Sequence, residues 1–157
     1  MKVVIKKEHD RIREVAYNVH IGDVVLYEHS DYCNWGVIFE VDFSSMTAMM
    51  ASVDDGDSDN ALWFDELKIY EDGSLQSGRR SVLREQEYSF DWEYGFFYAC
   101  LAVNLAEIKE KAKKDYHLFF RGNDVDTNVK KLQRNYNIIL KNNHQMKEFI
   151  DDYLSYK

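Results

Sequence analysis

Four apolar runs capable of extended structure fall between Ile21 and Tyr70. Four strands within about fifty residues leave room only for turns between them, which confines this segment to a small, strongly curved sheet or barrel. The first run is Ile21-Gly22-Asp23-Val24-Val25-Leu26-Tyr27. The second, Trp35 to Phe43, alternates: Val37, Phe39, Val41 and Phe43 fall on one side, and Ile38, Glu40 and Asp42 on the other. That is the pattern of a half-buried strand. Met46 to Val53 and Ala61 to Tyr70 supply the other two runs.

Beyond Gly78 the period changes. Phe96, Phe97, Cys100, Leu101, Val103, Leu105 and Ile108 form an apolar segment that passes into Lys109-Glu110-Lys111-Ala112-Lys113-Lys114. This predicts a helix, starting near Ser89, that leaves a core and becomes solvated. Gly122-Asn123-Asp124 is a break with capping residues, after which Val125, Val129, Leu132, Tyr136 and Ile139 recur at steps of four, three, four and three. That spacing predicts an amphipathic helix. Asn142-Asn143 interrupts it, and Met146, Phe149, Ile150, Tyr153 and Leu154 mark a last helix. The first twenty residues read two ways, because Val3 and Ile5 alternate whereas Ile12, Val15 and Val19 have helical spacing.

At 157 residues with no proline and seven glycines, the chain is expected to form one compact unit with short connections. No apolar run approaches the roughly 18 residues needed to span a bilayer, and Met1 to Lys7 is too short for a signal peptide, so a cytoplasmic location away from membranes is expected. Cys33 and Cys100 form no Cys-x-x-Cys pair, which argues for reduced, buried thiols rather than a disulfide or zinc framework. His9, His20, His29, His117 and His144 show no ligand spacing. Neither a cofactor nor a metal is expected.

The charge is segregated. Residues 21 to 75 hold thirteen carboxylates against Lys68 alone, whereas the flanking segments are slightly basic, so the net charge of −8 arises in the middle third. A field of this sign repels nucleic acid and anionic membrane and attracts basic proteins. Its densest stretch is Val53 to Glu66, with Asp54, Asp55, Asp57, Asp59, Asp65 and Glu66. From Asp55 onward the carboxylate positions follow an EF-hand loop, apart from Asn60 at the glycine position. The context differs, because an EF-hand needs a helix on each side. Asp55-Gly56 between two β-capable runs predicts a hairpin instead.

Gly22 to Val25, Trp35 to Asp42, Thr47 to Gly56 and Trp63 to Asp72 together resemble SH3-like barrels of small bacterial and phage proteins. The resemblance implies an SH3-like β-barrel and leaves the helical half unexplained; with the helical spacings beyond Gly78, the fold expected is α+β, an SH3-like β-barrel at 18–75 after an N-terminal segment 1–17, followed by a bundle of about three helices within 76–157 that packs on the barrel. It specifies a barrel and no chemistry.

No phosphate-binding loop, nucleophile elbow or zinc-protease motif is present in the sequence. The function expected is therefore non-enzymatic binding by a monomer or homodimer. Its acidic surface would engage a basic, nucleic-acid-handling protein, as phage-type inhibitors and toxin-neutralising proteins do by standing in for nucleic acid. Asp54, Asp55, Asp57, Asp59, Asp65 and Glu66 would supply charge, and Trp35 and Trp63, with Phe64 and Tyr70 as further candidates, aromatic anchors. No more than two of these four aromatics are expected outside. Direct nucleic-acid binding is not expected. One alternative is a structural or adaptor protein whose acidity has no particular partner. Another is a MazF-like ribonuclease, whose first strand also begins with Gly-Asp and an apolar run. That chemistry needs a cationic path for RNA, for which the chain offers Lys68 in the barrel and Arg79, Arg80 and Arg84 just beyond it.

Overall fold

The computed structural model describes residues 11–13, 16–28, 33–54, 61–78, 80–84, 101–106, 120–122 and 124–156. Its strands are β1 (Val24–Glu28), β2 (Cys33–Asp42), β3 (Thr47–Asp54), β4 (Ala61–Ile69), β5 (Leu75–Ser77), β6 (Arg80–Arg84) and β7 (Phe120–Gly122). The helices are α1 (Val125–Lys141) and α2 (His144–Ser155), and residues 101–106 are also helical.

The first six strands pair antiparallel in chain order, and β6 returns to β1. The result is a nearly closed, barrel-like sheet, thinnest where β4 meets β5 through Lys68↔Gln76 and Ile69↔Leu75. It runs past the boundary expected at residue 75, since β6 is needed to bring the sheet back to β1. Arg80 and Arg84 therefore belong to the barrel rather than lying beyond it. β7 adds in parallel along the first part of β4, at Leu62↔Phe120, Trp63↔Arg121 and Phe64↔Gly122.

Two cores result. Val25, Ile38, Ala48, Met50, Leu67, Ile69, Leu75 and Val82 come from all six barrel strands and meet in the interior. Val19 and Phe43 join them, with Tyr17 stacked on Phe43 at 6.1 Å between ring centres. The described part of the N-terminal segment thus packs against one end of the barrel. Val24, Leu26, Trp35, Val37, Phe39, Ala51, Leu62 and Phe64, from β1 to β4 only, face outward and are covered by Leu101, Ala102, Leu105, Ala106 and the apolar sides of α1 and α2. On α1 the buried apolar contacts are Val129, Leu132, Tyr136 and Ile139, beside buried Asn128 and partly buried Val125, so the helical spacing sets this face directly. Each such aliphatic side chain contributes about 1.5–3 kcal/mol on full burial.

Strand β2 departs from simple alternation. Its register against β3 shifts between Ile38 and Glu40, which is a bulge. An extra residue reverses the side-chain parity of everything after it. Val37 and Phe39 accordingly face the helices, while Val41 and Phe43 turn with Ile38 toward the barrel interior. The single face expected for Val37, Phe39, Val41 and Phe43 is thus divided in two. The strand is buried on both sides rather than half-buried.

Two amides, one within helix α1 and one at its C-terminal end, tie it to the barrel. The Asn135 side chain donates to the Phe39 carbonyl at 2.9 Å, and Asn142 donates to the Ile21 carbonyl at 2.7 Å. Asp124 occupies the N-cap position in the left-handed conformation (φ 51°) without a side-chain capping bond. At the start of α2 the Asn143 side chain does cap, accepting from the Met146 N–H at 3.3 Å. The helix start expected near Ser89, Phe96, Phe97, Cys100 and the lysine-rich run 109–114 lie outside the described residues. No helix among those described is long and apolar enough to cross a membrane.

Candidate functional site

The acidic stretch joins β3 to β4. These strands pair continuously from Thr47↔Lys68 to Asp54↔Ala61, so residues 55–60 connect the two arms of a hairpin. Both flanks are strands, and the pair of helices that gives an EF-hand loop its geometry has no counterpart here. Asp54 closes β3 at that last pair. Asp55, Asp57 and Asp59 lie outside the described residues.

Along β4 the side chains alternate. Leu62 and Phe64 belong to the outer core and Leu67 and Ile69 to the inner one. By the same parity Trp63 and Asp65 lie on the inner face and Glu66 on the outer. Trp63 is nonetheless 46% exposed, so it stands where the barrel opens toward the hairpin tip. Its neighbour across β3 is Ser52, whose hydroxyl donates to the Trp35 carbonyl.

Trp35 is 6% exposed and sits in the core between sheet and helices. It shares the parity of Val37, which the helices cover, and so offers no anchor to a partner. Phe64 is likewise buried, edge-on to Phe39 at 5.6 Å. Tyr70 is partly buried; its hydroxyl donates to Gln76 Oε1 at 3.1 Å, and the Lys68 ammonium lies 5.0 Å from its ring centre. Of the four aromatic candidates, Trp63 is the exposed one.

The carboxylates divide by role. Asp65 accepts from the Ser77 hydroxyl and from the Glu66 N–H at 2.9 Å, which ties β4 to β5. Asp23 accepts the His20 N–H at 2.8 Å, Asp42 accepts the Ser44 N–H at 2.9 Å, and Asp72 accepts the N–H and hydroxyl of Ser74 at 2.9 and 2.6 Å. Those bonds from Ser74 hold the Asp72 carboxyl below its ordinary value. Glu40 faces α1, with Oε2 buried 3.3 Å from Lys131 Nζ and 3.9 Å from Arg134 Nη2. Glu66 and Glu71 are exposed and lack a described partner. The acidic middle third is therefore less uniform in space than in sequence: turns and strand links use Asp23, Asp42, Asp65 and Asp72, and α1 offsets Glu40.

Among the predicted positions whose side chains are described, Trp63 and Glu66 are the exposed ones, on opposite faces of β4. Sequence reasoning missed Ser77, the partner of Asp65, and Asn135, the partner of the bulge. A polar residue beside the apolar positions of α1 was the available signal for the second; Ser77 gave none. Among the described residues, no group of three or more His, Cys, Asp or Glu is placed to hold a metal ion. Comparison with protein-family models, curated proteins and solved structures finds no match.

Proposed function

We propose that this chain is a non-enzymatic binding protein that presents its acidic β3–β4 hairpin to a basic, nucleic-acid-handling protein, in the manner of a phage-type inhibitor or toxin-neutralising protein. The observation that carries this reading is Trp63, a large aromatic side chain left 46% exposed where Asp54, Asp55, Asp57, Asp59 and Glu66 gather in the chain. A rigid aromatic anchor within a field of one sign is the combination that yields both affinity and steering. Asp65 supports the arm through Ser77 and adds to the field.

A second reading is favoured by the internal roles of Asp23, Asp42, Asp72 and Glu40: an adaptor or structural protein whose acidity serves its own turns and helix docking. One experiment separates the two. The chain and a variant with Asp54, Asp55, Asp57 and Asp59 replaced by Asn and Ser are immobilised and exposed to host lysate at low salt. The binding reading expects basic proteins to be retained by the native chain alone and released between about 0.05 and 0.5 M salt, where exposed charge pairs become screened. Recovery of the same proteins by both versions removes it.

A further inference from the structure

We infer that the open end of the barrel is an arginine-binding site, in which Trp63 stacks on the guanidinium of a basic protein and Asp65 pairs with it. The two ends of the barrel differ. At one, Val19 and Phe43 are buried with the inner core and Tyr17 packs against them. The chain approaches so closely there that a Cβ on Gly73 would lie 2.9 Å from the Tyr17 carbonyl. At the other end the inner face turns polar, with Ser52 opposite Trp63, and Asp65 bonded to Ser77, where aliphatic side chains stand lower in the barrel. Trp63 and Asp65 share that face of β4, about 7 Å apart at Cβ by the rise of a strand, whereas Glu66 faces the other way.

Both groups suit a cation. Trp63, 46% exposed, leaves much of its indole free to stack. Asp65 is partly buried, and its oxygens accept from the Glu66 N–H at 2.9 Å and from the Ser77 hydroxyl. An ionised carboxylate has about four acceptor sites, so each oxygen keeps one for the parallel N–H donors of a guanidinium fork. The two bonds already made hold the carboxylate on the indole's side of the strand. Among the described residues, none of the ion pairs involves Asp65. Arginine fits this pair better than lysine does. Its planar, weakly hydrated guanidinium lies flat on an indole while its edge meets a carboxylate, whereas an ammonium is a strongly hydrated point charge.

The inference deepens the proposed function, resting on Trp63 as its contact residue, and names the partner's group. The test titrates the isotope-labelled full chain at about 0.15 M salt with acetyl-Gly-Arg-Gly-amide, following the backbone amide signals of Trp63, Phe64 and Asp65 by NMR. Saturable shifts with a Kd in roughly the millimolar range are expected. The matched lysine peptide, and the citrulline peptide of the same shape without charge, should bind at least about fivefold more weakly. Asp65→Asn, which can still accept from Ser77, and Trp63→Leu should each weaken arginine binding at least about fivefold. Glu66→Gln removes the same charge from the opposite face and should change it less than about twofold. Absence of saturable shifts in the native chain overturns the inference. Equal responses to the three peptides do so too, as do equal effects of Asp65→Asn and Glu66→Gln, since the attraction would then belong to the acidic chain at large. Peptide binding without capture of basic proteins from lysate would leave the site standing and remove the proposed partner; capture without peptide binding would do the reverse.

Discussion

The side-chain amide of Asn135 donates to the carbonyl of Phe39 at 2.9 Å, across 96 residues of chain and at the bulge of β2. The bulge takes Phe39 out of regular pairing with β3, and α1 supplies a donor for its carbonyl. Helix docking and strand irregularity therefore stabilise each other. Asn135→Ala is expected to destabilise the fold by about 1–2 kcal/mol, because the carbonyl loses its partner without regaining free access to water. Combined with Glu40→Ala at the same bulge, the effect should be non-additive by at least about 0.5 kcal/mol, measured by urea denaturation of both single variants and the double variant. Strict additivity would mean that the two contacts to α1 act independently.

Trp35 and Trp63 should respond to truncation in opposite ways. Trp35→Ala removes a buried ring from the core shared by sheet and helices and is expected to cost about 3–5 kcal/mol. Trp63→Ala, at the open end of the barrel, should cost less than about 1 kcal/mol. Equilibrium denaturation of the two variants measures the contrast; equal losses would show that Trp63 is as firmly packed as Trp35.

Gly22 and Gly78 both have positive φ, at 99° and 59°. A Cβ on Gly22 would lie 3.0 Å from the Asn142 side chain and 3.2 Å from the Ile139 carbonyl, whereas nothing approaches Gly78 within 4 Å. Gly22→Ala is expected to cost about 1–3 kcal/mol through strain and displacement of the end of α1. Gly78→Asn should stay below about 1 kcal/mol, since asparagine tolerates the left-handed region and meets no neighbour. Melting temperatures of the two variants decide this.

Burial pushes the Tyr136 phenol above its ordinary value of 10.0, and the nearby Asp151 carboxylate adds to the effect. The folded state thus favours the neutral phenol. Its contribution is complete below 10.0 and is lost as pH rises through the higher folded value, because the unfolded chain releases the proton first. Denaturation midpoints of the native chain and of Tyr136→Phe, followed from about pH 8 to 11, should show a shallower alkaline decline in the variant. Parallel declines would place the alkaline sensitivity in other tyrosines.

Local sequence was enough for the features whose signal is local. The apolar runs at 21–27, 35–43, 46–53 and 61–70 supply the strands β1 to β4, because alternation and β-capable residues report on a strand by themselves. The contact residues of α1 were legible because a 3.6-residue period needs no partner to be seen. Tertiary structure alone decided the rest. A bulge is defined only against the neighbouring strand, so the reversal of Val41 and Phe43 toward the barrel interior had no signature in the run of β2. β5 and β7 have three residues each, too few to carry a period, and they form because β4 offers them open edges. Which tryptophan is buried depends on what covers each face: the helices cover Trp35 and leave Trp63 at an opening. The carboxylates follow the same rule. Their charge is written in the sequence, whereas whether Asp65 meets Ser77, Glu40 meets Lys131, or Glu66 stays exposed is fixed by which strands and helices the fold sets side by side.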